Sequence, residues 1–296
     1  LFFGNSSMVS PEVFMKEYIK ELLDGKSLAN IMNSYELQKY EILKELRNEL
    51  WELKHFKNYE PKNQLTAMFY QECSMLTITE EPVALFSDTH FGSKDENLEY
   101  YQLFINFCIE NHITTLIHGG DIGDGLVRYS KDCFDASKQL DYILKVYIDH
   151  PLLTQYILGG NHDEKYQKHG IDILKELAKN KRNIIPLGYR QSFIRIFTNA
   201  VSIEHSPKLS PEEKIMPYEF SIAGHSHKNN FARNCVKLPT LSSDLQYPNI
   251  KEGLPGFIVM YSTKNNQTVK LEFTRYYITN YGLEKEENPY IYKLQK

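Results

Sequence analysis

The chain is predicted to form a mixed α/β fold behind a small all-helical N-terminal region. Three observations carry this. Apolar residues recur at helical spacing from Val13 to Leu50, short apolar runs alternate with helical patterns from Val83 onward, and the second half turns strand-rich. A length of 296 residues with 42% apolar and 24% charged residues leaves room for one sizeable core plus an appendage and excludes whole-chain disorder. The longest apolar runs, such as Val83 to Phe86 and Gly256 to Met260, are strand-sized, far short of the ~18–20 residues a membrane helix needs. Residues 1–10 lack the basic start and apolar run of a secretory leader, and the first residue is Leu rather than Met, so the native start is left open.

Two regions follow from the pattern: a helical one over 1–80 and an α/β one over 81–296. Gly25 followed by Ser27 predicts one helix stop and the next N-cap, and Asn33-Ser34 a second break. Residues 25–46 resemble a helix-turn-helix, with a turn at Asn33 to Glu36. Docking on DNA would call for a basic surface, yet residues 1–80 carry 9 Lys and Arg against 12 Asp and Glu, and Glu41, Glu45, Glu49 and Glu52 line the second helix. An oligomerisation or partner-binding role is therefore favoured over DNA reading. The stretch from Glu60 to Glu81 has no clear period and reads as a connector.

After Pro82, apolar runs at Val83 to Phe86, Thr114 to Ile117 and Tyr156 to Leu158 each end in a polar cluster, with helical patterns at about 97–110, 135–149 and 171–179 between and after them. Such sheets place reactive groups at the C-terminal ends of strands. Strands are further expected at 192–197, 200–203, 219–223, 235–238, 257–261 and 269–278. Cys73, Cys108, Cys133 and Cys235 form no CxxC pair, so neither a zinc knuckle nor a disulfide framework is indicated, and a reducing cytoplasm is expected. A formal net charge of -4 argues against broad attraction to nucleic acid or anionic membrane.

Five segments place metal-ligand side chains just after these strands: Asp88-Thr89-His90, Gly120-Asp121-Ile122-Gly123-Asp124, Gly160-Asn161-His162-Asp163, Glu204-His205-Ser206 and Gly224-His225-Ser226-His227. Five of the ten histidines fall in them, which sets these segments apart from the rest of the chain. An x-separated pair in extended backbone directs both side chains the same way, so Asp88 with His90, or His225 with His227, can grip one ion from one side. Carboxylate, imidazole and amide oxygen without thiolate suit Mn, Fe, Zn or Ni. A carboxylate such as Asp121 can bridge two ions, and a two-metal site favours in-line displacement at phosphorus.

The ordered set DxH, GDxxD, GNHD, H and GHxH resembles the calcineurin-like metallophosphoesterase superfamily over about residues 82–280. The resemblance implies a four-layer α/β sandwich of two mixed sheets flanked by helices. It implies two divalent metal ions, Mn foremost with Fe, Ni or Zn as alternatives. Asp88, His90 and His227 would hold one ion, Asn161, His205 and His225 the other, and Asp121 would bridge them. His162, with Asn161, would bind the phosphate, and His162 would protonate the leaving oxygen. Asp124 would orient His162 through its carboxylate, with Asp163 a weaker supporting candidate. Hydrolysis by a metal-bridging hydroxide of a phosphodiester or phosphomonoester is the expected activity.

Two departures bear on this. Gly125 stands where protein phosphatases of the superfamily have an arginine, which disfavours that activity, and His205 is followed by Ser206 rather than Gly. The expected partner is a phosphoester substrate, with nucleotides and nucleic acids in view. Arg128 and Lys131, or Lys165 and Lys168, are candidates to meet substrate phosphates, with a solvated face as the equal alternative. His118 is expected to be structural, and His55, His112, His150 and His169 have no partner pattern. A metal-dependent nuclease, a non-catalytic scaffold and a DNA-binding regulator acting through residues 25–55 are the competing functions.

Overall fold

In the computed structural model, placement is described for residues 16–37, 42, 45, 46, 62, 76–129, 132–197, 199–205, 220–232, 235–245, 248–265 and 268–294. The chain divides into two units, Leu1–Met75 and Leu76–Lys296. In the first, helix α1 (Glu17–Leu23) ends at Asp24 before Gly25, and α2 (Leu28–Tyr35) starts at Ser27, whose hydroxyl accepts the Asn30 N–H at 3.3 Å. The expected cap is therefore present. The expected break at Asn33-Ser34 is not, because α2 runs on to Tyr35, whose ring packs 5.6 Å from that of Tyr18. The turn comes at Glu36, in left-handed backbone. Ile19, Leu22, Leu28 and Ile31 share a core with Ile42 and Leu46, and Glu45 pairs with Lys16 at 2.9 Å. Glu41, Glu49, Glu52, His55 and Cys73 lie outside the described residues.

The second unit is built on an alternation of burial. In β2 (Val83–Phe86) all four residues are buried, but Ala84 and Phe86 belong to one apolar cluster and Val83 and Leu85 to another. The same split occurs in β3 (Thr115–His118), between Leu116 and Ile117, and in β4 (Thr154–Gly159), between Ile157 and its neighbours Tyr156 and Leu158. Strands covered on both faces read as continuous apolar runs, which is why these three were legible. One face meets helices α3 (Leu98–Glu110), α4 (Ala136–Val146) and α5 (Ile173–Asn180). Asn97, Asp135 and Asp172 cap them, their side chains accepting N–H groups of Tyr100, Lys138 and Lys175. Phe86 sits fully buried between sheet and helix, 4.5 Å from the Phe104 ring, and truncating it to Ala is expected to cost about 3–5 kcal/mol.

The remaining strands are β1 (Thr77–Ile78), β5 (Ile184–Tyr189), β6 (Gln191–Ile196), β7 (Asn199–Glu204), β8 (Phe220–Ala223), β9 (Asn230–Ala232), β10 (Cys235–Lys237), β11 (Gly256–Asn265), β12 (Thr268–Thr279), β13 (Gly282–Lys285) and β14 (Tyr290–Leu294). The eight-stranded mixed sheet has the order β13-β12-β11-β2-β3-β4-β5, with β14 also on β12. The six-stranded one runs β1-β6-β7-β8-β10-β9. Ile194, Val201, Ile203, Phe220 and Ile222 of the smaller sheet close over Val83, Leu85 and Leu158 of the larger. Among the described residues this makes three layers: helices, the larger sheet and the smaller sheet.

Strand β5 was not expected. It is an edge strand carrying Pro186 and Gly188, with only Ile184 fully buried, so its periodicity is weak. β1 lies in the stretch read as a connector, and β13 and β14 extend the larger sheet beyond residue 280.

Candidate metal centre

Both sheets deliver side chains from the C-terminal ends of their strands. Asp88 and His90 follow β2, Asp121 follows β3, Asn161 and His162 follow β4, His205 follows β7, and His225 and His227 follow β8. The first strands belong to the larger sheet and the last two to the smaller, so the cluster sits at one rim of the sandwich. Eleven non-glycine residues have positive φ among those described, and five of them are Asp88 (56°), His90 (46°), Asp121 (54°), His225 (76°) and His227 (50°). Left-handed backbone is uncommon outside glycine, and its concentration here marks a site held against local preference.

Asp88 Oδ1 lies 3.2 Å from His227 Nε2 and 3.8 Å from His90 Nε2. Asp121 Oδ2 lies 3.0 Å from His205 Nε2 and 4.0 Å from His90 Nε2. Asn161 Oδ1 is 2.9 Å from His225 Nδ1. Three overlapping groups result, each with its ligand atoms within 4.8 Å of one another: Asp88, His90 and His227; His90, Asp121 and His162; and Asp121, His205 and His225. Asp121 and His90 are shared between groups. Every residue expected as a ligand is thus brought into one cluster.

The donor set fits divalent cations on two grounds. It combines two buried carboxylates with four imidazoles and an amide oxygen and contains no thiolate. Asp88 Oδ1 and His205 Nε2, both buried and facing the cluster, approach His227 and Asp121 without completing a well-formed hydrogen bond, as expected of atoms whose natural partner is an ion. The electrostatics agree. Burial alone would push the Asp88 carboxyl up, but His227, His205 and His90 outweigh it and hold the group well below the usual carboxylate range. Burial likewise opposes protonation of His205, yet Asp121 and Asp88 raise it to about 9, while burial drives His90 down to about 3. The two carboxylates demand positive charge, which protons or metal ions can supply.

Hydrogen bonds to the outer ring nitrogens orient the imidazoles. His205 Nδ1 donates to the Gly119 carbonyl at 2.7 Å and His227 Nδ1 to the Asp244 carbonyl at 2.7 Å, which turns each Nε2 toward the cluster. The Asp88 side chain also accepts the His225 N–H at 3.0 Å, and Thr240 Oγ1 donates to the Asp88 carbonyl at 2.8 Å. Gly120 has φ 109°, and a Cβ there would overlap the His205 ring. At Gly160 the requirement is space rather than angle, since a Cβ would overlap the Asp121 carboxylate.

His162 stands beside the candidate ligands, its ring 4.8 Å from that of His90 and its main-chain N–H on Asp121 Oδ1 at 2.8 Å. Its expected partner needs correction. The His162 Nδ1 donates to the main-chain carbonyl of Asp124 at 2.6 Å, whereas the Asp124 carboxylate accepts the N–H groups of Val127 and Arg128 at 2.8 and 2.6 Å. The carboxylate shapes the loop, and the carbonyl orients the imidazole. Asp163 has a larger part than expected: fully buried, it accepts N–H groups from Ile122, Gly123 and Gly160, tying the second and third loops together. Burial, helped by Asp121, raises its carboxyl to about 7 despite those bonds.

His118 is structural, as expected, its two ring nitrogens engaged by Thr89 Oγ1 and the Gly120 N–H. Arg128 is surrounded by carboxylates, with its guanidinium on Asp244 and within 4 Å of Asp95 and Asp124, so it offers little unbalanced charge to a phosphate. Asp244 was not identified from sequence. Lys131 and Ser206 lie outside the described residues. No helix among the described residues is long and apolar enough to cross a membrane.

Residues 81–205 match the family model of the calcineurin-like phosphoesterases. No curated protein matched the chain. Among solved structures, a single-mutant form of Vps29 from Entamoeba histolytica is similar at 13% identity, covering 71% of this chain and 99% of its own, with a TM-score of 0.41. Vps29 from Chaetomium thermophilum has 14% identity, 72% and 95% coverage and a TM-score of 0.39. A predicted phosphoesterase from Streptococcus pneumoniae TIGR4 has 9% identity, 72% and 97% coverage and a TM-score of 0.35.

Proposed function

We propose that the protein is a dinuclear metal-dependent phosphoester hydrolase. The observation that supports it above all is that Asp88, His90 and His227 form one group and Asp121, His205 and His225 another, joined through a third that contains His90, Asp121 and His162. Asp88, His90 and His227 would hold one cation, and Asn161, His205 and His225 the other, with Asp121 common to both. Divalent cations bound there lower the pKa of a water and offset the negative charge of phosphoryl oxygens.

The chain's own residues supply the rest. His162 has its Nδ1–H committed to the Asp124 carbonyl, so its Nε2 is the atom that can carry a second proton. In the cationic form it donates that proton to the leaving oxygen and remains held by the same carbonyl. Its main-chain N–H on Asp121 Oδ1 ties the position of the proton donor to that of the shared carboxylate. Asn161, whose Oδ1 lies beside His225 Nδ1, would touch the phosphate as well as a cation. Gly125 adds no cation, which favours substrates other than phosphoproteins.

The test is metal analysis of purified protein together with turnover of phosphodiesters, nucleotide monophosphates, cyclic nucleotides and single- and double-stranded DNA under defined Mn, Ni and Zn. Two equivalents of metal and metal-dependent release of phosphate or alcohol are expected. One equivalent or none in active protein rules out the dinuclear reading. Turnover confined to DNA would make the enzyme a nuclease.

A further inference from the structure

Three loops meet at one guanidinium. Arg128 donates through Nη1 to Asp244 Oδ2, lies 3.7 Å from Asp95 Oδ2, and places Nε 3.8 Å from Asp124 Oδ1. Its main chain joins the same contacts: the Arg128 N–H donates to Asp124 Oδ2 at 2.6 Å, and the Lys94 N–H donates to the Arg128 carbonyl at 2.8 Å. The loops also touch each other directly, with the Ser243 N–H on the Asp95 carbonyl at 2.8 Å and Asn97 Nδ2 on Ser243 Oγ at 3.1 Å. Each loop holds something the cluster needs. The 88–97 loop carries Asp88 and His90, the 121–129 loop carries Asp121 and the carbonyl that holds His162, and the 240–245 loop carries the carbonyl that holds His227.

An isolated surface ion pair contributes little, but this one is a three-carboxylate network around a side chain only 25% exposed, with a fully buried member in Asp124. Without the guanidinium, Asp95, Asp124 and Asp244 would face one another with no cation between them, and their repulsion would spread the loops. Asp244 is the direct link: one residue binds Arg128 through its carboxylate and His227 through its carbonyl.

We propose that Arg128 is a positioning residue, a clasp that sets His227 through Asp244 and His162 through Asp124, and that it does not contact the substrate. Its bearing on cation affinity and rate rests on the dinuclear reading above. Its mechanical part, the joining of three loops, does not. Guanidinium geometry matters because a lysine reaches one carboxylate where the fork reaches several.

The experiment uses the full chain with Arg128→Ala, Arg128→Lys and Asp244→Asn. Manganese affinity is measured by calorimetry on chelator-stripped protein, kcat and KM on a phosphodiester turned over by the wild type, and hydrogen exchange on the stripped protein. Arg128→Ala is expected to weaken manganese binding roughly 10- to 100-fold and to lower kcat in that range with KM within about twofold. Arg128→Lys recovers part of both, and Asp244→Asn moves both in the direction of Arg128→Ala. Exchange in stripped Arg128→Ala rises together over 93–97, 126–129 and 241–245. A rise confined to 126–129, or unchanged exchange and metal affinity, overturns the proposal. So does a tenfold rise in KM with kcat and metal affinity kept, which would make Arg128 a substrate contact. Should the wild type bind no manganese, the functional reading falls, and the exchange measurement still decides the clasp.

Discussion

The imidazole of His162 is oriented by the backbone of Asp124: Nδ1 lies 2.6 Å from the carbonyl oxygen, while the Asp124 carboxylate turns away to cap Val127 and Arg128. A main-chain acceptor survives substitution of its own side chain. Asp124→Asn, which retains an acceptor oxygen for the two N–H groups, is therefore expected to lower kcat less than tenfold. His162→Ala is expected to lower it about 10^2- to 10^4-fold on an ester with a poor leaving group. Steady-state rates on an alkyl and a nitrophenyl ester check this, and equal losses for both variants on the alkyl ester would show that the carboxylate itself acts on the imidazole.

Gly120→Ala and Gly160→Ala probe the ligands from behind. Each new methyl group would collide with His205 or Asp121, and at Gly120 the left-handed backbone adds strain of order 1–3 kcal/mol. Both variants should fold, by circular dichroism, and lose at least tenfold in metal affinity. Wild-type manganese titrations in either would show that the cluster has slack that the contacts do not suggest.

Asp163→Asn tests the joint between the second and third loops. The carboxylate accepts three N–H groups, and an amide nitrogen in place of one oxygen sets donor against donor. A buried polar group left unsatisfied costs about 1–3 kcal/mol, so urea unfolding should shift by at least that amount. A midpoint unchanged from wild type would mean that the loops are held elsewhere.

Chelation should destabilise the protein even where no substrate is present. An ion at a hundredfold excess over its dissociation constant adds about 2.7 kcal/mol to the folded state. Thermal unfolding with and without manganese should differ accordingly, and Asp121→Asn should abolish most of the difference by removing the carboxylate proposed to serve both ions. A manganese-induced shift of wild-type size in Asp121→Asn would place the ions elsewhere.

The strands and candidate ligands of the second unit are legible because both leave side-chain signatures. Doubly covered strands read as apolar runs, and a ligand at a strand end is a His, Asp or Asn at fixed spacing. What escaped has no such signature. The partners of His162, His205 and His227 are carbonyls, which any residue possesses, so Asp244 looked like an ordinary surface acid, and Asp124 was given a side-chain role that its main chain fills. For Arg128 the sequence leaves substrate contact and a solvated face equally open, because it does not show that Asp95 and Asp244, distant in the chain, converge on it. Strand β5 escaped because an edge position needs little apolar periodicity, and Asn33-Ser34 misled because burial of Leu28 and Ile31 carried the helix through a weak local signal.

The left-handed backbone at Asp88, His90, Asp121, His225 and His227 sets stability against function within the same few residues. A glycine at any of these positions would relax the main chain while removing a ligand. In the presence of chelator, where bound ions add no stability, selection for thermal robustness alone would therefore drift toward a sturdier, inert protein, and a library screened there only for survival on heating should enrich glycine or asparagine at these positions.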